Sequence, residues 1–299
     1  MATRLTYRQR FERKLPRLVK LSRQWARMAT GSGRPDTRLV FVVGSQRSGT
    51  RVPMQVMDCA PEIMTYSEGS APYFESVLLR PLDAVEDLRR RSVFPVVALK
   101  PICETHRINE LLERFPRSRA IWIFRNYQDA VNSASTKWPN GRAAIKRLAS
   151  ENPESAGWRV GGLSHSKLRL VKDLYSDRMT LHEANAVMWY LRNGLYFELG
   201  ANTRTDVLLV RYEDLVARPR ESLSRMFVFL GCPLPPGFEK VVRSSGGPGR
   251  PFPDISPRIR VLCEELHARL VGSYTAASTQ HLALDDSGPF RTQGLKRGS

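Results

Sequence analysis

The chain has few cysteines, and no two of them are close together in sequence. The four are Cys59, Cys103, Cys232 and Cys263, and no CxxC spacing occurs among the 299 residues. A zinc site or a disulfide framework would need closer or more numerous cysteines. We therefore expect a reducing compartment, and the cytoplasm is the simplest assignment.

Long apolar runs are also missing. The first residues are charged throughout and lack the apolar segment of a signal peptide. No stretch approaches the roughly 20 apolar residues that a membrane-spanning helix requires. The expectation is a protein that is soluble or bound only to a membrane surface.

Acidic residues are scarce relative to basic ones. The net charge is +18, and residues 1–38 hold eleven Lys or Arg against two acids. Apolar residues recur there every three or four positions, which predicts a basic amphipathic helix. They are Phe11, Leu15, Leu18, Leu21, Trp25 and Met28. Such a helix suits an anionic membrane surface, an acidic partner, or packing on the domain with a solvated basic face. Nucleic acid is disfavoured, because no basic motif is interleaved with aromatic residues.

A glycine-bounded loop follows an apolar run at the start of the domain. Residues 39–43 are apolar, and residues 44–50 hold two glycines at the spacing of a phosphate-binding loop. Thr50 stands where the Walker pattern needs its lysine, and the cation is Arg47, inside the loop. A strand, a loop of this kind and a helix together cradle phosphate with backbone N–H groups.

A second apolar run, residues 119–124, ends in Arg125. An ATPase or kinase would need an Asp at such a position to hold Mg²⁺. The two arginines indicate an anionic nucleotide bound by protein cations without a metal ion. A P-loop kinase that uses ATP and Mg²⁺ remains the alternative.

Further strands are predicted at 96–99 and 206–210, and helices from residue 50, at about 105–115, from Gln128 and at 222–230. This alternation predicts an α/β fold, a mostly parallel sheet flanked by helices. The expected organisation is a basic extension over 1–37, a domain over 38–275 with an insertion at 138–180, and a polar tail over 276–299.

Three ordered motifs resemble those of sulfotransferases that use 3′-phosphoadenosine 5′-phosphosulfate (PAPS). The loop at 44–50 is similar to the 5′-phosphosulfate loop of that family. Residues 124–133 resemble its 3′-phosphate motif, in which an arginine is followed eight residues later by a serine, here Arg125 and Ser133. Residues 210–215, with Pro219 and 229–231, are similar to a third motif of the family. The resemblance implies the P-loop-like sulfotransferase fold.

The resemblance also implies a metal-independent PAPS site, with adenosine 3′,5′-bisphosphate (PAP) as the product. The implied cofactor-binding residues are Arg47, Ser48, Gly49, Thr50, Arg125, Ser133, Tyr212 and, in a loosely matching glycine-rich loop, Arg250. The implied catalytic residues are Glu68, Lys100 and Arg47. Lys100 would stabilise the charge that develops on the bridging oxygen of the leaving group.

Glu68 is the expected general base. It follows Arg47 by 21 residues, a position that resembles the catalytic glutamate of tyrosylprotein sulfotransferases and, within one residue, of heparan 3-O-sulfotransferases. Glu62 competes but is expected to end the first helix near Pro61. His106 is the rival by resemblance to the histidine-based aryl sulfotransferases, and the lesser rivals are His165 and His182.

The acceptor is expected to be a carbohydrate or glycolipid hydroxyl. A carboxylate base, the Gly-Thr-Arg at 49–51 and a polar insertion on the acceptor side favour it. A tyrosyl or phenolic hydroxyl is the alternative, because the spacing of Glu68 is closest to that of the tyrosylprotein enzymes.

Overall fold

A parallel β-sheet forms the centre of the molecule. The computed structural model describes residues 7–32, 34–243 and 251–285. Five strands pair in the order β2-β5-β1-β6-β7, and every pair is parallel. They are β1 (Arg38–Gly44), β2 (Ile63–Ser67), β5 (Val96–Lys100), β6 (Arg119–Phe124) and β7 (Val207–Arg211); a hairpin adds β3 (Phe74–Glu75) and β4 (Leu78–Leu79). The predicted α/β architecture is confirmed.

The strand β1 shows why the sequence forms a sheet covered on both faces. Leu39, Phe41 and Val43 point into one apolar cluster, and Val40 and Val42 into the other. Each of these five side chains is at most 1% exposed. A strand buried on both faces requires a continuous apolar run, which is what the sequence provides.

Helices pack on both faces of the sheet. They are α1 (Tyr7–Arg27), α2 (Arg51–Met57), α3 (Leu82–Arg91), α4 (Ile108–Arg114), α5 (Tyr127–Lys137), α6 (Gly141–Ala149), α7 (His165–Leu174), α8 (Leu181–Glu198), α9 (Tyr212–Ala217), α10 (Pro219–Leu230), α11 (Phe238–Arg243) and α12 (Pro257–Asp285). Within the described part of the chain, no helix has the length and apolarity needed to cross a membrane.

Three elements differ from expectation. The strand β2 was not expected, because residues 63–67 contain Thr and Ser and show no long apolar run. The helix α2 ends at Met57, so Glu62 precedes a strand and does not end that helix, which corrects the prediction for this residue. The helix α12 continues beyond residue 276 to Asp285, where alanines support helix formation.

The amphipathic helix α1 lies along the free edge of β2. The Lys20 ammonium donates to the carbonyl oxygens of Asp58 and Ile63, at 2.8 and 2.6 Å. Arg17 donates to the carbonyl of Thr65 at 2.9 Å. Because edge strands present unpaired backbone groups, these side chains occupy acceptors that the sheet leaves open. The inner face of the helix is therefore structural.

The segment 138–180 forms α6, α7 and a 3₁₀ turn at Pro153–Arg159. Ile145, Leu148 and Val171 from this segment belong to the core on one face of the sheet. This packing fixes the 3₁₀ turn beside the carboxyl ends of the strands.

Candidate active site

Every strand of the parallel sheet delivers one predicted site residue at its carboxyl end. Arg47 follows β1, Glu68 follows β2, Lys100 ends β5, Arg125 follows β6 and Tyr212 follows β7. Ligands of open parallel sheets bind at this edge. The topology therefore brings together residues that lie up to 165 positions apart in sequence.

The loop after β1 needs glycine at two positions. Gly44 and Gly49 have φ values of 130° and 85°. A Cβ on Gly44 would lie 2.2 Å from the carbonyl oxygen of Ile123, and one on Gly49 would lie 2.0 Å from a ring carbon of Tyr212. The buried Thr105 hydroxyl fixes the start of the loop, since it contacts both the N–H and the carbonyl of Gly44. Only glycine combines these φ values with such close contacts.

Arg47 connects the first motif with the second. Its backbone is left-handed, with φ 67°, which is uncommon for a residue other than glycine and recurs at functional sites. Its Nε and Nη2 donate to the Ser133 hydroxyl at 2.9 and 2.8 Å. Its guanidinium lies 5.8 Å from the ring centroid of Trp138. Arg47 and Ser133 are thus in direct contact, although the motifs assign them to the 5′-phosphosulfate and the 3′-phosphate, respectively.

Arg125 is held by contacts that leave part of its guanidinium unused. Its Nη2 donates to Asp129 at 3.0 Å, and the group stacks 4.5 Å from the centroid of Tyr212. The indole N–H of Trp189 donates to the carbonyl of Arg125 at 3.1 Å, which fixes the backbone there. Tyr212 thus packs against both Gly49 and Arg125.

Three buried donors around the loop have no hydrogen-bond partner among the described residues. They are the Ser48 hydroxyl, the amide nitrogen of Gln46 and Nε of Arg125. Buried polar groups normally find partners, so unsatisfied donors need an explanation. A nucleotide with two separate phosphate groups would supply acceptors for such donors. The residues present therefore fit a phosphate-bearing nucleotide.

Glu68 and Lys100 form an ion pair at the ends of neighbouring strands. Their side chains are 16% and 19% exposed, and Oε2 lies 2.6 Å from Nζ. The register of β2 and β5, which pairs Ser67 with Lys100, places them side by side. This ion pair could not be predicted from the sequence, because β2 was not expected.

A cavity of about 1250 Å³ opens at this edge of the sheet. The predicted residues that line it are Arg47, Gly49, Thr50, Glu68, Lys100, Arg125, Ser133 and Tyr212. Ser48 is fully buried beside it, and Arg250 lies outside the described residues. Sequence reasoning missed Cys103, Trp138, Trp158 and Arg159 on the cavity wall, because no motif includes them.

The histidines lie elsewhere in the described part of the chain. The His106 ring packs against Gly161, so closely that a Cβ on this glycine would lie 2.5 Å from the ring. Burial, and next the charges of Arg192 and Arg107, lower the pKa of His106 to about 4. His182 accepts from the backbone N–H of Asp254 at 3.4 Å, and the exposed His165 begins α7. None of these three lines the cavity that holds Glu68.

Comparison with known proteins identifies the domain. A family sequence model described as "Sulfotransferase domain" matches residues 37–245. No curated protein sequence matches the chain. A sulfotransferase of Alicyclobacillus acidocaldarius is 16% identical, with 82% of this chain and 95% of that one covered and a TM-score of 0.43. One of Mycobacterium avium is 14% identical, with coverages of 84% and 81% and a TM-score of 0.46. A mouse sulfotransferase in complex with PAP is 15% identical, with coverages of 84% and 90% and a TM-score of 0.43.

Proposed function

The chain belongs to the sulfotransferase family, whose members use PAPS, and from that membership we propose that it transfers a sulfuryl group to a carbohydrate or glycolipid hydroxyl. The observation that carries the proposal is the position of the Glu68–Lys100 ion pair. It lies in the same cavity as the cations Arg47 and Arg125. The expected base Glu68, the cation Lys100 and the phosphate-binding loop therefore all face the same cavity.

The cofactor would be held by donors that follow two strands, β1 and β6. Ser48, Gly49 and Thr50 would bind the 5′-phosphosulfate together with Arg47, and Arg125 with Ser133 would bind the 3′-phosphate. A guanidinium suits this task because it grips phosphate oxygens in a planar fork. When bound, PAPS supplies the sulfuryl group and leaves as PAP.

Two residues would act on protons and charge. The Glu68 carboxylate would take the proton of the acceptor hydroxyl as that oxygen forms its bond to sulfur. The Lys100 ammonium would neutralise the negative charge that collects on the bridging oxygen as the bond to PAP breaks. The ion pair of 2.6 Å between them fixes the direction of the carboxylate before the acceptor arrives.

The acceptor side of the cavity supports a sugar. The half-buried Trp158 lines the cavity beside Arg159, whereas Trp138 lies against Arg47 of the nucleotide site. Tryptophan offers a broad apolar face on which the C–H face of a sugar ring can pack. A phenolic or tyrosyl ring could use the same surfaces and is the second candidate. Transfer of ³⁵S from labelled PAPS to glycan and to tyrosyl-peptide panels separates the two.

The cofactor assignment is tested by thermal unfolding. A ligand that binds only the folded state raises the melting temperature. We expect PAP to raise it and ATP with Mg²⁺ to leave it nearly unchanged. Arg125→Ala should weaken PAP binding by roughly 2–5 kcal/mol in calorimetry, and the exposed Arg169→Ala on α7 is the matched control. Stabilisation by ATP with Mg²⁺ alone would favour the kinase alternative.

The outward face of α1 supports a second, separable proposal, attachment to an anionic membrane surface. Leu18 and Trp25 are 55% and 53% exposed beside the basic Arg23 and Arg27. Exposed apolar residues flanked by basic ones favour the interface of an anionic bilayer. Cosedimentation with phosphatidylglycerol vesicles should fall for Trp25→Ser and weaken with salt. Equal pelleting of this variant and the parent chain would reject the membrane role, and cytoplasmic location without attachment would remain the expectation.

A further inference from the structure

A positively charged wall bounds part of the cavity. Arg159, at the end of the 3₁₀ turn, lines the cavity and lies 4.4 Å from the ring centroid of Trp158. Arg192 of α8 lies 5.4 Å from the same ring. The indole is therefore in contact range of two guanidinium groups.

Neither guanidinium has a carboxylate partner among the described residues. Arg192 is fully buried and donates only to the carbonyls of Ile102 and Gly161, at 3.3 and 3.4 Å, while its Nε has no partner. Arg159 is half-buried, and its guanidinium stacks on Trp158 without a hydrogen bond or ion pair to another described residue. Burial lowers the pKa of both, that of Arg192 to about 10. A charge removed from water is costly unless an opposite charge or hydrogen bonds compensate it.

The carboxylates that line the cavity cannot supply this compensation, because each has a partner of its own. Glu68 pairs with Lys100, and Asp129 pairs with Arg125. Asp58 accepts from Thr65 at 2.9 Å and lies 3.7 Å from the Lys20 ammonium. The wall therefore faces the cavity with positive charge that the described residues leave unbalanced.

The wall lies within electrostatic range of the expected base. Cys103, also on the cavity wall, lies within range of Glu68 and of Arg192 and Arg159, and it contacts Gln46 of the phosphate loop. Burial, followed by the Glu68 charge, raises the pKa of this thiol to about 11, so it stays neutral. The residues assigned to PAPS come from the loop after β1, from α5 and from the start of α9.

We propose that Arg159 binds an anionic group of the acceptor, a carboxylate or a phosphate or sulfate ester, while the hydroxyl to be sulfated lies at Glu68. The inference rests on the proposed function in one respect, that the cavity is the site of sulfuryl transfer. It makes Arg159 a specificity-determining residue. Arg192 strengthens the positive potential from behind Trp158 without touching the acceptor.

The test compares neutral and anionic acceptors that offer the same free hydroxyls. The sugar set is octyl β-D-glucuronamide, octyl β-D-glucuronide and octyl β-D-glucoside 6-phosphate, none of which has a free 6-hydroxyl, and the phenol pair is 4-hydroxyphenylacetamide and 4-hydroxyphenylacetate. Two quantities are measured for each: the dissociation constant from PAP-saturated protein by calorimetry, and kcat/KM by ³⁵S transfer. The carboxylate and phosphate arms distinguish the two sources of negative charge.

The variants are Arg159→Gln, Arg159→Lys and a control, Arg147→Gln. Arg147 is exposed on α6, lies near enough to Arg159 to influence it, and does not line the cavity. A hydrogen bond to a charged group contributes about 1.5–3 kcal/mol, so Arg159→Gln should weaken binding of the anionic member at least about tenfold. The affinity of Arg159→Gln for the neutral member should change little. Arg159→Lys should restore part of the preference for the anionic member. Arg147→Gln should show the affinities of the parent chain.

The outcomes separate this inference from the proposed function. If the charged phenol is preferred and no sugar binds, the anion site stands and the carbohydrate assignment fails. If sugars react but Arg159→Gln weakens neutral and anionic members equally, Arg159 only supports Trp158 and the anion site is wrong. The anion site would also be wrong if the parent chain bound the neutral and the anionic members of every set with equal affinity.

Discussion

Glu68 and Lys100 are in contact at the ends of two strands, and a change at either residue should affect turnover before it affects cofactor binding. Glu68→Gln keeps the shape of the side chain but cannot accept the acceptor proton. A general base contributes about 10²–10⁴-fold, so kcat should fall by that order while the PAP dissociation constant changes little. Steady-state ³⁵S transfer and calorimetry give the two quantities.

Two further variants make this comparison decisive. Glu75→Gln removes an exposed carboxylate of β3 that does not line the cavity, and it should leave kcat unchanged. His106→Gln tests the rival base, which the structure places outside the cavity. Loss of turnover in His106→Gln together with normal turnover in Glu68→Gln would transfer the base role to the histidine.

His106 has a separate consequence for stability. Its pKa of about 4 in the folded protein lies below the ordinary value of 6.5. As the pH falls through this interval, the unfolded chain takes up a proton that the folded chain excludes, so the free energy of unfolding decreases. His106→Gln should therefore reduce the loss of stability between about pH 7 and about pH 5. Burial shifts the pKa of His267 in the same direction, so part of the loss should remain.

Urea unfolding at a series of pH values measures this dependence. His165→Gln changes an exposed histidine at the start of α7 and should keep the slope of the parent chain. A slope that is identical in His106→Gln and the parent chain would show that His106 does not stay neutral in the folded state.

Among the elements, α1 packs on the domain, which is one of the roles that the sequence left open. Lys20 is 7% exposed and bonds two carbonyl groups beside the edge strand β2. Lys20→Ala leaves these buried acceptors without a donor and should lower the free energy of unfolding by about 2–4 kcal/mol. Arg23→Ala, at an exposed position of the same helix, should stay within about 0.5 kcal/mol. Coinciding urea midpoints for the two variants would mean that α1 does not stabilise the domain.

The elements also show what sequence patterns can and cannot predict. The strands β1, β5 and β6 were predictable because they are buried on both faces and read as apolar runs. The strand β2 lies at the edge, where Thr65, Tyr66 and Ser67 are tolerated, so its pattern is weak. Glu68 and Lys100 were both candidates from the sequence, but their contact could be recognised only once β2 was in register with β5.

At the scale of the whole molecule, the excess of positive charge should speed the capture of a polyanionic nucleotide. Raising the ionic strength from roughly 0.01 M to roughly 0.15 M shortens the screening length from about 30 Å to about 8 Å. The association rate of PAP should then fall by about tenfold, since electrostatic steering is lost. Stopped-flow binding measures it, and adenosine, which lacks the phosphates, should show no such dependence. A salt-independent rate for PAP would exclude steering by the net charge of +18.

The parts of the site differ in how far the sequence could predict them. Arg47, Arg125 and Tyr212 were recognisable because each belongs to a motif of fixed local spacing. Arg159 and Arg192 belong to no motif, and they meet around Trp158 only because the 3₁₀ turn packs on α8. Charge compensation depends on three-dimensional neighbours, which local spacing does not encode.

The contact between Gly49 and Tyr212 restricts how this chain can vary over generations. A Cβ at position 49 would overlap the tyrosine ring, so any larger residue there requires a smaller one at position 212 first. That smaller residue would remove the stacking partner of Arg125. The two positions lie 163 residues apart, and a substitution at position 212 would have to come before one at position 49. The chain that carries only the first substitution would bind the nucleotide less well. Because the φ of 85° at position 49 also favours glycine, lineages should keep Gly49 and Tyr212 together.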